Sequence, residues 1–176
     1  KSDGEKGDLP EFHFDYAFPG DELGFKLSVL IGVERDTKAK FAIVVPSKGS
    51  TGKYASNEAV NFINQQGCAM RDIVLKSDQE PAIKYVIDDI CAARTGAKTI
   101  KMNAPRGSKG SNGIVERAVQ SIEGQLRTMK SALDTRYGKV IAVEHCIVTW
   151  LVKYVSVLLN KMEIGRDGKT AEQRTR

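Results

Sequence analysis

From Glu11 to Phe18 apolar and polar residues alternate strictly along the chain. Phe12, Phe14, Tyr16 and Phe18 fall on one side, and Glu11, His13, Asp15 and Ala17 on the other. A period of two is that of an extended strand, so this segment predicts a strand with an aromatic core face. Phe25–Glu34 and Ala39–Val45 are two more strand-like runs rich in Val, Ile and Leu, joined by the short turn Arg35-Asp36-Thr37-Lys38. Three such runs in succession predict an antiparallel meander.

Beyond Val45 the pattern changes. A helix is expected from about Lys53 to Gln66, stopped by Gly67. Arg71–Lys76 predicts a short strand. Ser77 and Asp78 then lead into a helix with Pro81 in its first turn, where the missing N–H costs nothing. Its apolar stripe is Ile83, Val86, Ile87, Ile90 and Cys91. Ala97–Lys101 predicts a fifth strand. Residues 103–113, with three glycines and one proline, predict a mobile loop. A long helix follows from about Ile114 to Asp134, with Val115, Ala118, Ile122, Leu126, Met129 and Leu133 as its stripe. A last helix is expected from about Val140 to Met162, with Trp150, Leu151, Tyr154, Leu158 and Leu159 inward. The order implies an α/β domain: a mixed five-stranded sheet, three antiparallel strands and then parallel ones, flanked by helices. Residues 1–9 are expected to be a disordered linker, 10–164 the domain, and 165–176 a charged loose tail.

Composition narrows the picture only slightly. A chain of 176 residues suits one domain and needs no disulfide staple. Its first residue is Lys and its end is ragged and charged, which reads as a piece of a longer polypeptide. The net charge of +5 is compatible with a polyanionic partner. Cys68, Cys91 and Cys146 lack metal-ligand spacing and sit in apolar segments, as buried reduced thiols do. With only His13 and His145 present, no Cys/His zinc module can be built. The longest apolar stretch, Cys146–Leu159, is too short to span a bilayer and contains Lys153, so no membrane partner is expected.

Candidate chemistry rests on carboxylates. Asp15 lies in mid-strand opposite four aromatics, where a buried carboxylate without a partner is costly. A hydrogen-bonded aspartate on a solvated sheet face is the ordinary explanation. Asp78 ends a strand just before a helix, a common N-cap position, but also where sites form in open sheets. Glu116 lies in the first turn of the long helix, where a glutamate often serves only the helix dipole. Asp36 fits a turn, and Asp88 and Asp89 an exposed helix face.

The combination carries more than its parts. Ser77-Asp78-Gln79-Glu80 after a strand, followed by Ser111-Asn112-Gly113-Ile114-Val115-Glu116-Arg117-Ala118, resembles the catalytic core of retroviral and retrotransposon integrases. The first motif resembles that family's second aspartate segment, and the second its glycine loop and Val-Glu-Arg helix start. The gap between Asp78 and Glu116 holds 37 residues, close to the family's roughly thirty-five. Asp15 matches the first aspartate, and Gly168-Lys169-Thr170-Ala171 resembles a segment that follows the core in many retrotransposon integrases. The likeness runs from about Glu11 onward and is greatest to Ty1/copia-type elements.

The resemblance implies an RNase H-like fold and a DNA integrase core. Its activities would be 3′-end processing and strand transfer of retroelement DNA into target DNA. Asp15, Asp78 and Glu116 would be both the catalytic residues and the metal ligands. Two Mg2+ or Mn2+ ions would be the cofactors, since such ions prefer hard oxygen donors and clamp both oxygens of an in-line phosphoryl displacement. Double-stranded DNA, as element ends and target, would be the partner, with homo-oligomer formation and action in the nucleus. Arg106 and Lys109 on the loop, and Arg117, Gln120, Arg127 and Lys130 on the long helix, are the candidate DNA contacts. Glu116, Gln120, Glu123, Arg127 and Lys130 share one helix face, and Glu123 makes that face mixed in charge.

Two departures matter. The family commonly has Asn-Gly after its second aspartate, where this chain has Gln79-Glu80. Its zinc-binding and carboxy-terminal DNA-binding domains lie outside this sequence. His13, two residues from Asp15 on the same strand face, is a candidate polar neighbour. The alternatives are an RNase H-like nuclease that hydrolyses without joining, and an inactive nucleic-acid-binding relic.

Overall fold

The computed structural model describes residues 9–20, 26–48, 53–78, 80–103 and 113–176. The expected linker therefore lies outside the described residues except for Leu9, as does nearly all of the glycine loop, with Arg106 and Lys109. Five strands form one sheet: β1 (Glu11–Ala17), β2 (Ser28–Glu34), β3 (Lys40–Val45), β4 (Ile73–Ser77) and β5 (Thr99–Asn103). Their order is β3-β2-β1-β4-β5. The first three strands form the expected antiparallel meander, and β4 and β5 add parallel to β1.

Both faces of the sheet are covered. On one, the β1 aromatics Phe12, Phe14 and Tyr16 join Leu30, Phe41, Ile43, Ile73 and Leu75. They pack against α1 (Tyr54–Ile63) and α2 (Pro81–Ala93) through Ala59, Phe62, Ile83, Val86 and Ile90. On the other, Ala17, Val29, Ile31, Val33 and Ala42 meet α3 (Gly113–Tyr137) and α4 (Cys146–Met162). Asp15 therefore points toward the layer that carries Glu116, not toward a solvated face. α1 runs on into a wide turn, Asn64–Cys68, in which Gly67 takes a left-handed conformation with φ 74°. That geometry favours glycine and ends the helix where expected.

Gly32 is required by packing. A Cβ there would lie 2.6 Å from Cε1 of Phe14, and Phe14 is fully buried with no room to retreat. Gly32→Ala is expected to cost about 1–3 kcal/mol by overpacking. Urea denaturation measures it, and an unchanged midpoint would mean that the two strands simply shift apart.

The last helix differs from expectation. α4 begins at Cys146, with the His145 side chain accepting a hydrogen bond from the Ile147 N–H as its cap. Residues 140–142 have no regular structure, and 143–145 turn into the helix instead. Val148, Leu151, Val152 and Val155 face the core, whereas Trp150 is 55% and Tyr154 38% exposed, stacked on each other outside. Leu158 and Leu159 are half-buried. Phe18, expected in the core, is also exposed. Of the three cysteines only Cys68 is fully buried; Cys91 is half-buried and Cys146 exposed.

The segment 165–176 is no loose tail. Thr170 caps α5 (Ala171–Thr175) through a reciprocal capping box with Gln173, and Ala171 is buried in the aromatic-side core. Arg174 holds Asp167 with two nitrogens and donates to the carbonyls of Lys169 (2.8 Å) and Thr37 (2.9 Å). Its guanidinium keeps the Asp167 carboxyl well below the usual range, chiefly by hydrogen bonding. The charges that suggest a solvated tail are spent on folding it back. Arg174→Ala is expected to release this segment, read as faster limited proteolysis between 165 and 176 with the rest of the digestion pattern unchanged.

Candidate active site

Two strands set the first half of the site. β1 and β4 are adjacent and parallel, with His13 opposite Lys76. Carrying that register two residues further brings Asp78, just past the end of β4, level with Asp15. The paired register ends at His13 and Lys76, where neighbouring strands lie roughly 4.8 Å apart, and both aspartates follow within two residues of it. Asp15 is half-buried, and its Oδ1 accepts the Tyr16 N–H at 2.8 Å. Asp78 is half-buried, and its Oδ1 accepts the Glu80 N–H at 3.0 Å. Asp78 is thus not the N-cap of α2; Glu80 occupies that position.

Helix α3 supplies the other half. Glu116 is exposed in its first turn. Burial pushes the Asp15 carboxyl up to about 6, and the charges of Asp78, Glu80 and Glu116 add to it against the opposing Tyr16 hydrogen bond. Among the described residues, however, no three His, Cys, Asp or Glu side chains close into a metal cage. The donor set is all hard oxygen, anionic and partly desolvated, which fits Mg2+ or Mn2+ and suits softer ions poorly.

Glu80 and Lys48 were not singled out by the sequence. Glu80 lies within the dipeptide that departs from the family pattern, which was the one available signal. Lys48 follows β3 and offers none, because only the topology carries it to Glu80.

His13 stands apart from this group. It is 1% exposed, and its Nε2 lies 2.6 Å from Glu11 Oε1. Lys76 and Arg35 also pair with Glu11. Burial alone would raise the Glu11 pKa, but hydrogen bonds from Lys76 and His13 outweigh it and hold the carboxyl below its usual range. Burial lowers the His13 pKa despite Glu11. A neutral imidazole donating from Nε2 leaves Nδ1 an acceptor, and that buried atom has no hydrogen-bond partner among the described residues. The cluster ties the start of β1 to its neighbours and has no evident chemical task.

The basic candidates divide. Arg127 and the half-buried Lys130 line a cavity of about 260 Å³ with Phe18, Leu27, Glu123 and Val148; Lys130 also pairs with Asp134 at 2.8 Å. Arg117 borders a different cavity of about 200 Å³ with Lys38, Lys40 and Glu163. Gln120 is exposed. Asp36 lies in its expected turn, and Asp88 is exposed and paired with Lys101.

No protein-family model matches the chain, and no curated protein matches it in sequence. Solved structures do match in fold. The chain has the five-stranded, RNase H-like fold of retroviral integrase catalytic cores. The catalytic core domain of BIV integrase superposes with a TM-score of 0.60 at 20% identity, covering 94% of this chain and 92% of that one. The HTLV-2 integrase catalytic core in complex with magnesium, in a trimeric form, gives 0.63 at 14% identity over 97% of this chain and all of the other. A simian T-cell lymphotropic virus intasome in complex with PP2A regulatory subunit B56 gamma gives 0.70 at 14% identity, this chain spanning 55% of the matched one. Among the described residues no helix is long and apolar enough to cross a membrane.

Proposed function

We propose that this chain is the catalytic core of a retroelement DNA integrase, of Ty1/copia type, that processes 3′ ends and transfers strands into target DNA. The observation that carries the reading is the Asp15 carboxyl, raised to about 6 by burial and by the charges around it, Asp78 and Glu116 among them, on the fold of integrase cores. Asp15 and Asp78 supply oxygens from two adjacent strands, and Glu116 from the helix, as metal ligands. Bound Mg2+ or Mn2+ would activate the attacking oxygen and stabilise the leaving one. Arg117, Arg127 and Lys130, with Arg106 and Lys109 from the loop, would hold DNA by its phosphates, positioning it without reading bases. The intasome and the dimeric and trimeric HTLV-2 cores among the structural neighbours support DNA ends as substrate and a homo-oligomer as the working form. Action in the nucleus follows from that substrate.

The test is a strand-transfer assay in magnesium and manganese, using a labelled duplex with a recessed 3′ hydroxyl and a plasmid target. Joined products are expected. Cleaved ends that are never joined would instead make the chain a nuclease, and inert DNA a binding relic.

A further inference from the structure

Strands β3 and β4 are not neighbours; β2 and β1 lie between them. Yet the segment after β3 reaches across the strand ends to the segment after β4. The Lys48 ammonium pairs with Glu80 Oε1 at 2.5 Å. On its way it lies 4.4 Å from the Phe18 ring centroid and 5.8 Å from that of Tyr16. The exposed Phe18 ring thus offers its face to the lysine ammonium. Glu80 occupies the N-cap of α2, but its side chain makes no capping bond there. It is committed to Lys48, while its backbone N–H holds Asp78 Oδ1 at 3.0 Å. Asp78 Oδ2 has no hydrogen bond among the described residues.

We propose that Lys48 and Glu80 are positioning residues for Asp78, a latch across the strand ends that holds the Glu80 N–H against Asp78 Oδ1 and leaves the second carboxylate oxygen to a divalent cation. The inference rests on the reading of Asp78 as a metal ligand. The family's common Asn-Gly would leave this position without a charged side chain; Glu80 here supplies one, and Lys48 is its counterpart. Both side chains are about one-third exposed, so the pair adds little to stability. Its worth lies in orientation, because groups that hold metal ligands in place govern affinity while touching no metal.

The experiment measures Mn2+ binding to this chain directly, by the loss of the free-ion paramagnetic resonance signal, for wild type, K48A, K48R, E80Q and D78N. Melting temperatures are taken without metal. D78N is expected to remove binding. K48A and E80Q are expected to weaken it about tenfold, K48R to stay near wild type, and melting to shift by no more than about 2 °C. Three results would overturn the latch. K48A and E80Q binding like wild type while D78N fails would leave the site reading intact and remove the latch. E80Q weakening with K48A tightening would make Glu80 itself a ligand and Lys48 its competitor. D78N binding Mn2+ normally would remove both the latch and the metal site it serves.

Discussion

Asp15→Asn, Asp78→Asn and Glu116→Gln are each expected to lower both end processing and strand transfer by about a thousandfold or more, because each replaces an anionic oxygen donor with a neutral amide. The structure separates this loss from unfolding. Glu116 is exposed, so its amide should leave melting unchanged. Asn at 78 keeps an oxygen for the Glu80 N–H. Asn at 15 keeps one for the Tyr16 N–H. Circular dichroism and melting curves check the fold, and gel assays of cleavage and joining check the chemistry. Near-normal activity in any of the three would show that its carboxylate is not part of the centre.

The second expected result concerns stability. Burial and neighbouring charge raise the Asp15 pKa from an ordinary 3.8 to about 6. Between those values the folded chain holds a proton that the unfolded chain has released. The contribution of Asp15 is therefore greatest on the acid side and is lost as pH rises through about 6. Above that pH the folded protein carries a charge it would rather not have. Asp15→Asn removes that charge, so the metal-free variant should exceed wild type by about 1–3 kcal/mol at pH 8. The gap should close by about pH 4, where both side chains are neutral. Comparing wild type with the variant matters, because Glu11, Asp134 and Asp167, all with lowered pKa values, shift stability the opposite way in both proteins. Urea denaturation in EDTA at the two pH values decides it. A variant no more stable than wild type at pH 8 would show that Asp15 is relieved of its neighbours in solution.

Much of this fold could be read from the sequence where one local rule acted alone. The strict alternation of β1, proline at the start of α2 and Gly67 at the end of α1 each have a single physical solution, and the structure adopts it. α4 was misread because two rules competed. Val148, Leu151, Val152 and Val155 form one apolar stripe, while Trp150, Tyr154 and Leu158 form another. Periodicity alone cannot choose between them; packing against β3 and α3 does. The helix start was missed because histidine caps it, where serine, threonine or aspartate is the usual sign. Asp15, Asp78 and Glu116 are legible as candidates through their order and spacing, and the structure adds that burial and the charges of Asp78, Glu80 and Glu116 raise the Asp15 pKa. Lys48 was invisible, since 31 residues of chain and two intervening strands separate it from Glu80.

The outward face of α4 has a spectroscopic consequence. Trp150 is the sole tryptophan of the chain, and it sits in solvent against the ring of Tyr154. Its emission should already be red-shifted in the native state and change little when the core melts, so fluorescence would under-report unfolding. The same indole would respond at once, by a blue shift, to anything that comes to cover that helix. It is a poor thermometer for the fold and a sensitive lamp for assembly.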